Sequence, residues 1–310
     1  MSYSDLREFI EFLESKNEIR HIKTSVSRDL EISEITDRTI KSGGPALLFE
    51  NVEGYSAPII TNLFGTHQRT AWALGVNKAD DLTSKVRNIM GLVQNPPSSM
   101  IDKLKTLKDL VGMARTQPKT VRNAKCQQIV YTGDDVDLER IPHIKCWPMD
   151  GGRYITLPLV ISKDPKSGRR NVGIYRMQIR DKKSAGMHWQ THKVGAKHYR
   201  SSEENHLPKL EVAVAIGGDP ATIWSGALPL PPDMDEIAVA GVIRDRPVEM
   251  VQCKTVDLQV PANSEYILEG YVVPGELSPE GPFGDHTGYY SLQDEYPAVS
   301  YTHLTLPTKA

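Results

Sequence analysis

The chain has 310 residues, 39% of them hydrophobic, with 37 Lys and Arg against 39 Asp and Glu for a formal net charge of -2. Such balance excludes the basic footprint of a nucleic-acid binder, and the length is that of two domains able to bury cores without disulfide or metal staples. No apolar run reaches the roughly 18–20 residues of a membrane span, and the opening Met1-Ser2-Tyr3-Ser4-Asp5-Leu6 lacks the basic-then-apolar order of a signal peptide, so the expected location is cytoplasmic.

Leu6, Phe9, Ile10 and Leu13 recur at helical spacing behind Ser4, which predicts an amphipathic helix capped by Ser4 and ending near Asn17. A second helix is expected over residues 31–40, stopped by Gly43-Gly44-Pro45. Residues 46–49 and 59–63 read as strands, 69–74 as a helix, and 81–92 and 99–114 as two further helical patches. The polar Gln117-Pro118-Lys119 marks a boundary, so residues 1–117 form a first domain of mixed helix and strand. Beyond it, β-branched or alternating runs at 127–131, 154–161, 171–179, 211–216, 248–253 and 265–273 are separated by Gly- and Pro-bearing turns. This texture predicts a β-rich second domain, a sandwich or barrel, with Asp164-Pro165-Lys166-Ser167-Gly168 as a hairpin turn. Cys126, Cys146 and Cys253 are far apart, form no Cys-x-x-Cys pair, and read as buried thiols.

Four stretches could carry chemistry. In Arg169-Arg170-Asn171-Val172-Gly173-Ile174-Tyr175-Arg176, alternation places Ile174, Arg176 and Gln178 on one face. Arg176 is then a charge among apolar neighbours that calls for an anion, although a hairpin strand solvated at its tip is the plainer reading. Gly186-Met187-His188-Trp189-Gln190-Thr191-His192-Lys193, with His198 and His206 after it, gathers four of the nine histidines, which exposed loop positions would also explain. Asp233 and Glu236, three apart, fit a capping box at the start of a helix. Pro274 to Tyr290 is rich in Gly and Pro and reads as irregular, yet Glu280 and Asp285 bracket an apolar Gly-Pro-Phe-Gly turn beside His286. Paired acids so placed split their pKa values and keep one proton available near neutral pH.

Taken in order, these stretches together with Asn62-Leu63-Phe64-Gly65-Thr66, Gly218-Asp219-Pro220-Ala221-Thr222, Leu268-Glu269-Gly270-Tyr271 and above all Glu280-Gly281-Pro282-Phe283-Gly284-Asp285 resemble the UbiD-type decarboxylases, over nearly the whole chain to about Ala298. The resemblance implies an α+β architecture: an N-terminal α/β domain over 1–117, then a split β-barrel of flavin reductase type over 118–298. The resemblance also implies a C-terminal α/β domain, which is expected to be missing from this chain. Residues 299–310 look like a translated sequencing adapter, so they are expected to be a non-native tail that projects from the barrel or pairs weakly at an edge.

What the resemblance implies for the site is equally specific. Prenylated FMN would be contacted by Ile174, Tyr175, Arg176, His188, Trp189, Gln190, Lys193 and Val194, where the family often has Arg at the positions of His188 and Lys193. Asn171, His192 and Glu236 would ligate Mn²⁺ or Mg²⁺, a mostly hard donor set, and carbonyls of residues 224–228 would hold K⁺. Asn171 and Arg176 must both face the cofactor, which calls for a bulge or twist near Gly173. Arg176, Glu280 and Asp285 would form the catalytic network, with Asp285 as proton donor, its pKa raised by desolvation against Phe283.

The implied reaction is non-oxidative loss of CO₂ from an aromatic or α,β-unsaturated acid. A polyprenyl-4-hydroxybenzoate in quinone biosynthesis is the expected substrate, with menaquinone precursors and simple phenolic acids as alternatives. Implied partners are a flavin prenyltransferase supplying the cofactor and further copies of the chain in a homo-oligomer, with at most peripheral membrane association. The rival reading is a flavin-binding split-barrel protein, a reductase or carrier, for which the two acids and Arg176 would have no use.

Overall fold

Helix α1 (Leu6–Ser15) forms as its apolar spacing requires, burying Leu6, Phe9 and Leu13. Its cap is Asp5 rather than Ser4: the Asp5 carboxylate accepts the Glu8 N–H at 3.0 Å, while the Ser4 N–H donates to the Glu8 carboxylate. The computed structural model describes residues 2–81, 83, 84, 87, 91, 115–231 and 234–308. Strands β1 (Ile19–Ile22) and β2 (Ala46–Phe49) pair in parallel through the crossover helix α2 (Glu31–Lys41), and β3 (Ile59–Thr61) adds antiparallel to β2. Helix α3 (His67–Ala73) follows, its Thr66 cap accepting the Arg69 N–H. The helical patches expected at 81–92 and 99–114 lie outside the described residues, apart from Asp81, Thr83, Ser84, Arg87 and Gly91, which are helical.

The remainder begins with β4 (Lys119–Val121) and β5 (Ile129–Thr132), then β6 (Tyr154–Ile155), β7 (Leu159–Lys163), β8 (Arg170–Ile174), β9 (Met177–Ile179) and β10 (Ser184–Met187). After helix α4 (Val194–Glu204) come β11 (Leu210–Ile216), helices α5 (Pro220–Ser225) and α6 (Glu236–Arg244), then β12 (Glu249–Gln252), β13 (Gln259–Pro261) and β14 (Tyr266–Glu280). The hairpin β15 (Phe283–Gly284) and β16 (Tyr290–Ser291) precedes β17 (Asp294–Leu306). Nine strands form one antiparallel sheet in the order β6-β9-β10-β17-β14-β11-β7-β8, with β5 on β17, and β13-β12-β4 form a small second sheet. The fold is thus mixed α+β, and among the described residues no helix is long and apolar enough to cross a membrane.

Alternation explains the large sheet. Val160, Val212, Val214 and Leu268 enter one core with Met177, Met187 and Trp189, while Leu159, Ile161, Ala213, Ala215 and Ile267 enter another with α6 and the small sheet. Both faces are covered, so these strands read as continuous apolar runs. The Asp164 turn does join β7 to β8, with Gly168 at φ 68. Cys126 and Cys253 are buried as expected, and burial pushes the Cys126 thiol up to about 12.

Three expectations change. The β7–β8 register runs without interruption through Gly173 to Ile174, so there is no bulge at Gly173; the chain instead leaves the sheet at Tyr175 and Arg176 before β9 begins. Residues 274–280 are not irregular, because β14 continues through them and pairs Leu277 with Pro297 and Glu280 with Asp294, absorbing the Pro-Gly step in a register shift between Val272 and Leu277. The supposed tail does not project. Residues 299–306 complete β17 between β14, β10 and β5, with Val299, Tyr301 and Leu304 buried in the main core and Leu306 packed against it. Their apolar side chains alternate with Ser and Thr, which suits a strand buried mainly on one face. Asp233 lies outside the described residues; the cap of α6 is Asp235, which accepts the Ile237 N–H at 2.9 Å.

If this last strand belongs to the core, Leu304→Ala should lower unfolding stability by about 2–5 kcal/mol, as removal of a fully buried leucine does. Urea denaturation measures it; a loss below about 0.5 kcal/mol would restore the projecting tail.

Candidate active site

Three segments of the large sheet and the β15–β16 hairpin converge around one fully buried carboxylate. Arg176, in the break after β8, donates from Nε to Glu280 Oε1 at 2.9 Å and from Nη2 to Oε2 at 3.1 Å. Glu280, the last residue of β14, has no exposed surface. His188, just past β10, places Nδ1 2.8 Å from Glu280 Oε2 and 3.0 Å from Arg176 Nη2. Carrying a proton, that nitrogen donates to the carboxylate; without one, it accepts from the guanidinium. Ser291 of β16 accepts a further bond from Arg176 Nη2 at 2.9 Å. Burial pushes the Glu280 carboxyl up, but the bonds from His188 and Arg176 outweigh it and hold its pKa below the ordinary value, so Glu280 is an anion at neutral pH.

The aromatic surroundings fix this fork. The Arg176 guanidinium lies 4.6 Å above the Phe283 ring, whose edge meets Tyr154 at 4.6 Å, and the His188 ring stands 4.5 Å from Tyr296. The Gly-Pro-Phe-Gly turn is clamped in place: Gly281 N–H donates to Gln178 Oε1, Gly151 N–H to the Pro282 carbonyl, and Gly284 N–H to Asp150. Tyr154 also lines an apolar cavity of about 210 Å³ together with Ile60, Ile141, Leu157 and Ile223. Asp150, Tyr154 and Ser291 escaped the sequence reading. Asp150 offered only a generic turn signal before Gly151-Gly152, whereas Gln178 shared the face of Arg176 by alternation.

Asp285 does not join the network. It sits at the tip of the β15–β16 hairpin with its side chain 40% exposed, 2.8 Å from His286 Nδ1. Slight burial raises its pKa, but the bonds from His286 prevail and the net shift is downward, opposite to the expected rise. The Phe283 ring packs instead against Arg176 and Tyr154.

A second cluster lies on the other side of the break. Asn171, buried, donates to the Tyr175 hydroxyl at 3.3 Å, which also receives the Gly195 N–H at 3.2 Å. Glu236 accepts the N–H of the next residue, Val172, at 3.1 Å, and burial pushes its carboxyl up to about 7 despite that bond. Asn171, Tyr175 and Glu236 are therefore neighbours, whereas His192 is exposed before α4. Among the described residues no three His, Cys, Asp or Glu side chains cluster as metal ligands. Trp189 is buried with Nε1 unpartnered, its indole lying where a side chain on Gly195 would stand. Gln190 and Lys193 are exposed, while Ile174 and Val194 are half-buried. Carbonyls of Trp224, Ser225 and Gly226 already accept bonds from Ala227, Leu228 and Ile174. The other histidines separate cleanly: His198 is a core residue bonded to Ser162 and held low by burial, and His206 is exposed.

With this geometry in place, comparison with known proteins is decisive. Residues 119–310 match the 3-octaprenyl-4-hydroxybenzoate carboxy-lyase Rift-related domain, and residues 10–87 match the N-terminal domain of the same family. The chain belongs to the UbiD family. It is 47% identical over 305 residues to an uncharacterised protein of Archaeoglobus fulgidus and 48% identical over 307 residues to one of Aquifex aeolicus, in each case covering 98% of this chain and 62% of the relative. Among solved structures, the UbiD-class enzyme HmfF of Pelotomaculum thermopropionicum in complex with FMN superposes with a TM-score of 0.86 at 29% identity, over 98% of this chain and 63% of that one. The closed form of the vanillic acid decarboxylase of Sedimentibacter hydroxybenzoicus superposes with a TM-score of 0.85 at 28% identity, over 100% and 63%. This UbiD-family chain thus spans a little over three fifths of the length of the relatives it matches.

The Glu280 shift makes a pH prediction. A carboxyl whose folded pKa is depressed contributes stability that is present above its unfolded value, near 4.5, and lost as pH falls through the lower folded value. Glu280→Gln should cost about 3–5 kcal/mol at pH 7, the usual cost of breaking a buried pair, and should flatten the acid limb of stability against pH. Urea unfolding at stepped pH reads both; an unchanged acid limb would show that Glu280 is not ionised in the fold.

Proposed function

We propose that this chain carries the cofactor-binding and acid–base part of a carboxy-lyase that removes CO₂ from an aromatic or α,β-unsaturated carboxylic acid with prenylated FMN. The observation that carries this reading is the buried Arg176–Glu280–His188 network. A flavin reductase or carrier would have no use for a carboxylate held ionised at such cost, which favours the decarboxylase over that second reading. Its relatives support the cofactor: HmfF is described with FMN and, in an evolved dimeric form, with prFMN. We read the nine-stranded sheet as the split barrel that holds the flavin.

The residues on hand fit that group. Trp189 offers an indole N–H without a partner, and Glu236 is a carboxyl lifted to about 7 by burial, even with Arg170 nearby. Asn171 and Glu236 would hold Mn²⁺ or Mg²⁺ with His192, which must turn inward to do so, and a K⁺ at the 224–228 carbonyls would add to shared acceptors. Ile174, Tyr175, Trp189, Gln190, Lys193 and Val194 would flank the flavin. When bound, prenylated FMN supplies an electron sink for the carbanion left by CO₂.

Everything else falls to the chain. Arg176 orients the acids, Glu280 keeps that guanidinium in place, and Asp285 returns a proton to the substrate carbon after its hairpin tip rotates out of solvent. The apolar cavity beside Tyr154 suits a substrate with a hydrocarbon portion, in line with a polyprenyl-4-hydroxybenzoate of quinone biosynthesis. A homo-oligomer, and a flavin prenyltransferase as cofactor donor, complete the proposal.

Two measurements test it. In an enzyme containing this chain and loaded with prenylated FMN, Asp285→Asn should retain flavin and lower CO₂ release by about 10²–10⁴-fold, the contribution of a positioned general acid. Arg176→Lys should be comparably severe because an ammonium has no planar fork, and the double variant should fall far short of the product of the two losses. CO₂ release near the parent rate in both Asp285→Asn and Glu280→Gln would remove the acid pair from the reaction. Separately, Ala at Asn171, His192 or Glu236 should each weaken Mn²⁺-dependent retention of FMN by about 10–100-fold in equilibrium dialysis; full retention in all three would abolish the metal assignment.

A further inference from the structure

Away from the carboxylate network, at the C-terminal end of α6, the chain turns through Asp245 at φ 55 and presents two arginines to one pocket of about 290 Å³. Arg244 closes the helix and Arg246 follows the turn; Lys119, the first residue of β4, stands at the same pocket with Ser4, Asn263 and one acid, Glu249. Among the described residues, both guanidiniums keep buried N–H groups without a partner. Arg244, with a side chain only 6% exposed, gives Nη1 to Asp219 at 2.7 Å but leaves Nε without a partner. Arg246 has both Nε and Nη2 buried and unpartnered.

Three buried N–H donors of charged groups, each costing about 1–3 kcal/mol when unmet, are an expensive arrangement for a surface with no ligand. The acids nearby offset the charge without bonding these three N–H groups: Glu249 lines the pocket across from Lys119 in the β4–β12 register, Glu8 is engaged with the Ser4 N–H, and Asp219, the cap of α5, takes only Nη1 of Arg244. Planar guanidinium forks and an ammonium on one concave surface match the several acceptor oxygens of a tetrahedral oxyanion better than the two of a carboxylate.

We propose that the pocket framed by Lys119, Arg244 and Arg246 binds a phosphate group, free or borne by a small molecule. Arg246 and Arg244 take its oxygens from the buried side, and Lys119 approaches from the mouth. This assignment is independent of the decarboxylase reading, since none of these residues belongs to either cluster described above.

Titration of the 310-residue chain with sodium phosphate, followed by thermal unfolding and by calorimetry, tests it. A saturable rise in Tm with phosphate is expected, with none for sodium acetate or sodium chloride at equal ionic strength. Arg246→Gln should weaken phosphate at least tenfold, and Lys119→Gln, at an exposed position that leaves folding intact, a few-fold. The proposal fails if the parent shows no saturable response, if acetate binds as well as phosphate, or if Arg246→Gln and Lys119→Gln both keep the parent affinity, which would locate the anion elsewhere, as at a flavin phosphate subsite.

Discussion

A carboxylate with no exposed surface must be met by donors, and Glu280 imposes that requirement on four separate stretches of chain. Arg176 can reach it only because β8 stops at Ile174 and the chain steps out of the sheet before β9. His188 is brought in by registry, its N–H donating to the Arg176 carbonyl, so the strand pairing that builds the sheet also sets the distance between the two bases. Ser291 arrives through the β15–β16 hairpin, and the loop at Asp150 locks the turn from outside. Removing any donor would leave charge stranded in the interior, and that is why so much backbone is committed to one side chain.

Other acids in the family-like motifs have a different task. Glu269 is equally buried, yet it accepts the N–H groups of Lys254 and Thr255 and the Thr255 hydroxyl, pinning a loop to β14. Its neighbour Gly270 lets β17 come close, since a side chain there would strike the Ser300 carbonyl. Asp219 caps α5 and pairs with Arg244, and Asn62 donates to the Gly44 and Pro45 carbonyls from a left-handed conformation at φ 57. Motif likeness therefore mixes residues that hold the fold with residues that hold the chemistry, and hydrogen-bond partners separate them.

Local pattern carried much of the fold. Helix α2, strand β2 and the β7–β8 turn stand where periodicity and turn residues put them, because those signals lie within a few adjacent residues. What failed depended on partners distant in sequence. Pro274 and Gly275 look like the end of order, yet β14 runs on because β17 offers it a second register, and residues 299–306 become core because that edge is there to pair. At the site, Arg176 was legible as a charge among apolar neighbours and Glu280 as one of two acids around an apolar turn. The exclusion of Asp285 was not legible, since it rests on which face of a hairpin the tip residue takes.

The arrangement also decides where a proton can reside. Glu280 is held ionised by two donors and Asp285 by His286, so neither carboxyl stores a proton in this conformation. His188 is the group between, with one nitrogen in reach of both an anion and a cation. With a hydrogen on that nitrogen the ring donates to Glu280, and without one it accepts from Arg176 Nη2, so it is bonded in either tautomer. A relative with Arg at this position would hold Glu280 with a fixed charge. With histidine, the cluster gains a ring nitrogen that can donate or accept without any movement of the sheet that places it, whereas an arginine could only donate.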